Sequence, residues 1–284
     1  MEMWCSEGAG LSKADEKLHV MMQSIRQMGK VLVAFSGGVD SSFVLVAALK
    51  AIGPSQVLAV TAASDSVAKS ELEEASQLAR AWGAAHRVIQ TQELSKPGYV
   101  QNDADRCYHC KTELFDRLSP LAQAEGYAWI LDGTNADDAQ DHRPGRRAAR
   151  EHGIRSPLLE AGLTKAEIRE RSRAWGLSTH DKPASPCLSS RIAYFEPVTA
   201  EKLRAIEQAE AFLKSKGFGE VRVRWHNGIA RIELPKLEIS RLLEEPLGEE
   251  ISEALKSFGF LFVTVDLEGL RSGSLNTLLK LKPA

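Results

Sequence analysis

A chain of 284 residues, 43% hydrophobic and 26% charged, is long enough for one large or two modest globular domains. Its 36 basic and 38 acidic residues leave a net charge of -2, which excludes a nucleic-acid footprint spread over the whole surface. No apolar run approaches the ~20 residues of a membrane span, and four cysteines are too few for a disulfide scaffold. The opening MEMWCSEGAGLSKADEK lacks the basic start and apolar stretch of a secretory signal. Residues 1–14 read as a loose leader, and a cytoplasmic location is the expectation.

Leu18, Met21, Met22 and Ile25 recur at a helical period. VLVAF (31–35) is a continuous apolar run, as in a buried parallel strand. SSFVLVAALKAIG (41–53) reads as a helix stopped by Gly53, and QVLAVTA (56–62) as a second strand. VAKSELEEASQLARAWG (67–83) is a helix ended by Gly83, and AHRVIQ (85–90) a third strand. Residues 91–106 are polar and irregular; CKTELFDRLSPLAQAEG (110–126) is helical despite Pro120, and AWILDG (128–133) is a fourth strand. Residues 134–160, with Asn135, Asp137, Asp138, Asp141, Arg143 and Pro144, read as loop-rich. TKAEIRERSRAWG (164–176) opens on a capping box of Thr164 and Glu167. Strands alternating with helices predict βαβ units and a parallel sheet.

After Pro197 the texture changes. Thr199 caps a long helix (199–217), and EVRVRWH and IARIELP alternate on either side of Asn227-Gly228, a strong hairpin signal. A helix (251–259) and a strand (260–267) follow. The expectation is an α/β fold: a parallel, five-stranded, Rossmann-like domain over 15–196, then a small α+β domain over 197–284.

Between the first strand and its helix stands Ser36-Gly37-Gly38-Val39-Asp40-Ser41-Ser42. The glycines let backbone approach an anion, and the following helix points free N–H groups and its positive dipole end at it. Ser36, Ser41 and Ser42 add hydroxyls, and Asp40 can hold a magnesium ion. The string is neither GxxxxGK[ST] nor GxGxxG. It resembles the PP-loop of the ATP pyrophosphatases, which include GMP, NAD and asparagine synthetases and several sulfur-inserting enzymes. That resemblance implies ATP cleavage between the α- and β-phosphates, transfer of AMP to a substrate oxygen, and attack by nitrogen or sulfur. It also implies adenine contact near Thr61, a nucleotide cleft lined by Gly133, Thr134 and Asn135, and a phosphate role for Lys165, which otherwise reads as a solvated helix-start lysine.

Cys107 and Cys110 form CxxC at a helix start, which alone fits a redox pair, half a zinc site or chance. His109 reads as a surface residue. Cys187, in HDKPASPCLSSRIAY, makes a third thiol; the set fits either unrelated buried thiols or a [4Fe-4S] cluster with one iron left open. Cys5 sits in the leader and is not a favoured ligand. Arg222 and Arg224, two apart on a strand, share a face, and two guanidinium forks suit a phosphate or carboxylate; a solvated strand face is the plain alternative. Lys111, Ser190 and Arg191 are further anion-site residues.

PCLSSR, GFGEVRVRWHNGIARIELP and FLFVTVDLEGLRSGSLN together resemble the LarE family, over residues 15 to 280 or so. This resemblance implies an ATP-dependent sulfurtransferase acting on pyridinium-3,5-dicarboxylate mononucleotide, whose carboxylates become thiocarboxylates in the making of lactate racemase's nickel-pincer nucleotide. One branch of that family sacrifices the sulfur of a single loop cysteine. Another holds a [4Fe-4S] cluster on three cysteines, the pattern of Cys107, Cys110 and Cys187, with ATP and Mg2+ as the other cofactors. The implied partners are a nucleotide-like small molecule, inorganic sulfide or a sulfur carrier, and further copies of the chain, with no membrane. Thiolation of tRNA by the same chemistry would call for a basic face or an RNA-binding extension. Glu210 and Glu233 match acidic positions of an interface metal site, but Arg241 stands where a further acid belongs, so solvated glutamates are expected.

Overall fold

The apolar run Val31–Val33 is completely buried, and this strand organises the first half of the chain. The computed structural model describes residues 12–139, 144–271 and 273–281; Cys5, Asp141 and Arg143 lie outside the described residues. In chain order the elements are α1 (Lys13–Met28), β1 (Val31–Ala34), α2 (Val39–Ile52), β2 (Val57–Ala63), α3 (Lys69–Ala81), β3 (Ala85–Gln90), α4 (Pro97–Val100), α5 (Arg106–Ala124) and β4 (Trp129–Leu131). Then come α6 (Pro144–Glu151), α7 (Pro157–Glu160), α8 (Lys165–Ala174), α9 (Ala200–Ser215), β5 (Arg222–His226), β6 (Ile229–Glu233), α10 (Ile239–Leu242), α11 (Leu247–Ser257), β7 (Phe262–Val265) and α12 (Thr277–Leu281). Among the described residues, no helix is long and apolar enough to cross a membrane.

The chain divides into two compact units. The first takes residues 1–62, 70–89 and 114–184. Its sheet has four strands in the order β3-β2-β1-β4, with β1 parallel to both β2 and β4. Among the described residues the expected fifth strand is absent. Its place is taken by one parallel bridge, Leu131 to Arg155, in which Arg155 donates to Ile130 and Asp132 donates back to Arg155. Pro157, two residues on, starts α7 and removes the N–H a longer strand would need. Helix α2 is buried from Val39 to Ala48 apart from Asp40, and α1 sets Leu18, Met21, Ile25 and Met28 into the same core. Within the loop-rich stretch 134–160, Pro144 opens α6 at a first-turn position that suits proline, and Ala148 and Ala149 are its buried face.

The second unit takes residues 63–69, 90–113 and 185–284. Here β5 and β6 pair antiparallel, and β7 lies parallel to β6. The hairpin turn is Asn227-Gly228, with φ of 45° and 84°, as a tight two-residue turn demands. Leu203, Ile206, Ala209 and Leu213 of α9 pack on Val223, Ile232 and Leu255. The first turns of α5, which carry Cys107 and Cys110, belong to this unit, as does Cys187.

Candidate active site

In the first unit, the loop after β1 is built to leave backbone donors free. Gly37 has φ of 72°, and a Cβ there would lie 3.2 Å from that of Ala75. Gly38 caps α2 with no side-chain bond, so the first-turn N–H groups of α2 have no capping side chain. Ser41 braces the loop from within: its hydroxyl accepts from the Ser36 N–H at 3.2 Å and donates to the Gly38 carbonyl at 3.2 Å. Ser36 and Ser41 hydroxyls lie 3.1 Å apart. Ser42, buried, has a hydroxyl without a partner.

Asp40 bonds Lys165 Nζ at 2.7 Å through one oxygen, while the other is buried and unpartnered. Burial pushes the Asp40 carboxyl up, against the pull of Lys165. A buried carboxylate oxygen lacking a donor suits a hard cation, so Asp40 fits the implied magnesium. Lys165 is therefore not a free solvated lysine. Gly133, at the end of β4, faces the start of α2 so closely that a Cβ would lie 2.8 Å from the Ser41 nitrogen. Thr134 donates its N–H and hydroxyl to Asp132 at 3.1 and 2.7 Å, and the Asn135 oxygen accepts from the Asp137 and Asp138 N–H groups. Thr61 is buried, donates to the Phe35 carbonyl at 2.8 Å and meets His86 Nε2 at 2.9 Å, so its hydroxyl is already committed.

Sequence reading missed Lys182. Its Nζ is held by Glu74 at 2.8 Å and Glu71 at 3.0 Å, and lies 3.3 Å from the Gly37 carbonyl. Burial pulls the lysine down, but the two glutamates more than reverse it, so it stays charged beside the loop. Arg169 fixes its backbone by donating to the His180 and Lys182 carbonyls, both at 2.8 Å.

In the second unit the three thiols share one electrostatic neighbourhood. Burial pushes the Cys110 thiol up and Cys187 adds to it; Cys107 is raised by the same two causes in the same order. Cys107 as a residue is exposed, so only the surroundings of its sulfur are crowded. Lys111 pulls on both thiols of the CxxC in the opposite sense. His109 packs its ring over Gly98, where a Cβ would lie 2.2 Å from Nε2. Cys187 Sγ is 3.0 Å from the Ser189 hydroxyl.

The Cys187 loop is tied at several points. Leu188 donates to the Ser66 carbonyl at 2.9 Å, and Arg106 to that of Ser189 at 2.9 Å. Arg191 donates to the Pro186 carbonyl, to that of Cys187 at 3.2 Å and to the Ser190 hydroxyl at 3.1 Å. Its Nε and a terminal nitrogen grip Glu210 at 2.9 and 3.2 Å. Arg224 is committed too, to Glu233 at 2.8 and 2.9 Å and to the Ser190 carbonyl at 2.9 Å. Among the described residues Arg222 makes one weak bond, to the Arg271 carbonyl at 3.4 Å. Burial, then Arg224 and Arg191, push the Arg222 guanidinium down, the mark of an electropositive spot. Glu210 and Glu233 are not solvated, as expected from sequence, but buried. Glu233 also takes Arg231 and Ser274, and Glu210 takes the Val223 N–H, so their oxygens are filled. Arg241 caps α9 instead, bonding the Lys216 and Gly217 carbonyls and stacking on Phe218.

Over 93% of its length the chain is 38% identical to the pyridinium-3,5-bisthiocarboxylic acid mononucleotide synthase of Lactiplantibacillus plantarum, 95% of which is covered. The chain belongs to the LarE family. It is thereby an ATP-using PP-loop enzyme of sulfurtransferase type. Two further relatives are uncharacterised proteins: one from Synechocystis, 45% identical over 93% of this chain and 98% of that protein, and one from Methanocaldococcus jannaschii, 31% identical over 86% and 91%. The NAD synthase family model matches residues 13–106, the part of this LarE chain that holds the PP-loop.

Proposed function

We propose that this LarE-family enzyme adenylylates the carboxylates of pyridinium-3,5-dicarboxylate mononucleotide and converts them to thiocarboxylates, for the nickel-pincer cofactor of lactate racemase, with sulfur passing through a [4Fe-4S] centre on Cys107, Cys110 and Cys187. The observation that carries the reading is the pattern of Cys107, Cys110 and Cys187 in a LarE-family chain that also holds a PP-loop. The relative from Lactiplantibacillus plantarum is named for the bisthiocarboxylic acid mononucleotide product.

Cys107, Cys110 and Cys187 are the residues that would hold such a cluster. Among the described residues no three His, Cys, Asp or Glu side chains converge as ligands of one ion must. A cubane takes each thiolate on a different iron, so its ligands do not share one point. When bound, such a cluster supplies an iron without a protein ligand, where a sulfide can be held.

The protein groups then divide the work. A substrate carboxylate oxygen attacks the α-phosphorus of ATP, and pyrophosphate leaves. The N–H groups of α2 and the Ser36 and Ser42 hydroxyls receive the departing phosphates, and Asp40 would hold magnesium, with Lys165 bonded to its other oxygen. Hydrosulfide then attacks the acyl carbon; the C–S bond forms, the C–O bond to AMP breaks, and the thiol proton is lost to solvent. Arg222, the least committed of Arg191, Arg222 and Arg224, grips the substrate's anionic groups, while Arg191 and Arg224 hold the Cys187 loop.

The test is anaerobic turnover with ATP, Mg2+, sulfide and pyridinium-3,5-dicarboxylate mononucleotide. Expected are pyrophosphate, a thiocarboxylate by mass spectrometry, bound iron, and an intact Cys187 after several turnovers. A Cys187 converted to dehydroalanine after one turnover would establish the sacrificial route instead. Pyrophosphate release without thiolated product would refute both.

A further inference from the structure

Residues of the loops at 65–66 and 91–95, with Tyr99, line a cavity of about 270 Å³ in the second unit. Among the described residues that line it there is no lysine, arginine or histidine, and its two charged side chains, Asp65 and Glu93, are both acidic. Glu93 is 5% exposed, and one of its oxygens accepts from the Thr91 hydroxyl at 2.9 Å. Lys96, three residues on, reaches Glu113 at 3.1 Å instead, and among the described residues no cation pairs with Glu93. A buried carboxylate held by one neutral hydroxyl is costly. Glu210 and Glu233 in the same unit are buried too, but each has its arginine.

Tyr99, another wall of the cavity, is 1% exposed, and its hydroxyl is buried without a partner. An unpaired carboxylate and an unpartnered hydroxyl in one cavity are two groups that a ligand would satisfy. Leu94 and the Tyr99 ring add apolar surface. The cavity also borders the sulfur loop. The Ser66 carbonyl accepts from the Leu188 N–H at 2.9 Å, one residue from Cys187. Leu94 and Cys110 pack on the apolar cluster that contains Tyr99 and Leu188. Pockets for drug-sized ligands run from about 300 to 1,000 Å³, so this one suits something nearer a nucleoside.

We propose that this cavity binds the cationic ring and ribose of a pyridinium ribonucleoside, with Glu93 as counter-ion to the ring and Tyr99 as its hydrogen-bonding wall. The choice of ligand rests on the sulfur-transfer reading, whose mononucleotide carries a pyridinium, a fixed cation. Acidic walls admit that cation and repel phosphate and carboxylate, which are left to the arginines. A flat ring also uses the apolar walls, as a compact hydrated ammonium would not.

The experiment titrates ligand-free, full-length protein with two probes by calorimetry. One is nicotinamide riboside, a pyridinium ribonucleoside without phosphate. The other is its 1,4-dihydro form, which differs by one hydride and is neutral. Wild type binds the cationic form at least about tenfold more tightly than the neutral one. Glu93→Gln removes that preference, while Tyr99→Phe weakens both probes and keeps it. Equal wild-type affinities, or no saturable binding of the riboside, overturn the proposal and need no variant to fold. So does a Glu93→Gln protein that keeps the full preference. If the preference behaves as stated but wild-type protein makes no thiolated product, the sulfur-transfer reading falls and the site stands. If product forms without the preference, the site falls alone.

Discussion

The Arg191–Glu210 pair offers the sharpest energetic test of how the Cys187 loop is held. Both side chains are 7% exposed, and the fork contacts measure 2.9 and 3.2 Å. Arg191→Met leaves Glu210 buried with the Val223 N–H, at 3.1 Å, as its remaining donor. Removing one partner of such a pair costs about 3–5 kcal/mol, because a charge is stranded rather than because the pair itself is strong. Against a typical stability of about 5–15 kcal/mol, that is a large fraction. Replacing both partners by apolar groups, as in Arg191→Met with Glu210→Leu, is expected to cost less than either single change. Urea unfolding followed by tryptophan fluorescence, with hydrogen exchange of the Val223 amide as the local probe, measures all three variants. Arg191→Lys recovers little, since an ammonium cannot reproduce the fork or reach the loop carbonyls at the same time. A loss under about 1 kcal/mol for Arg191→Met, or a double variant equal to the sum of the singles, would refute the buried-pair account.

Asp40→Asn abolishes magnesium-dependent pyrophosphate release without lowering the melting temperature of the ligand-free protein. Burial holds this carboxyl above the ordinary value of 3.8, so the folded state takes up the proton more readily than the unfolded one. Stability is therefore lost as pH rises from that value through the raised one, and regained in the Asn variant; a destabilised Asn variant would contradict this sign. Gly133→Ala forces a methyl to 2.8 Å from the Ser41 nitrogen, costs about 1–3 kcal/mol by overpacking and weakens ATP binding; calorimetry giving wild-type affinity would refute it. Arg222→Met weakens substrate binding at least tenfold without lowering the stability of the ligand-free protein, because the side chain has one long bond to lose and a half-buried, repelled charge to shed; equal substrate affinity in a titration would remove Arg222 from the anion site.

What was legible in the sequence follows the range of the forces involved. The strand, glycine pair and helix around Ser36–Ser42 were readable because apolar continuity and glycine freedom are local properties. The hairpin was readable for the same reason, through Asn227-Gly228. The fifth strand was not, because one bridging residue, Arg155, is decided by its neighbour Leu131 and cut short by Pro157. Helix α6 was missed because its buried side is only Ala148 and Ala149, too small an apolar signal to give a period. Glu210 and Glu233 read as solvated because their arginines come from 19 and 9 residues away. Lys182 and Glu93 carried no motif; each is informative only through the partners that the fold supplies or withholds.

That last distinction decides which cations of the second unit can serve an anion. Arg191 and Arg224 are equal to Arg222 in sequence, all three lying in or near the resemblance motifs. In the structure the first two are neutralised by carboxylates and spend their remaining donors on the carbonyls of residues 186, 187 and 190. They shape the loop and offer an incoming anion little net charge. Arg222 is left uncompensated among the described residues: it is half-buried and feels its two neighbours as repulsion. Burial makes an uncompensated cation costly in the empty protein, and the cost is offset only when an anion arrives. On this account ligand binding should raise the unfolding temperature of wild-type protein more than that of Arg222→Met. Equal gains in wild type and variant would mean that the unpaired guanidinium is tolerated rather than used.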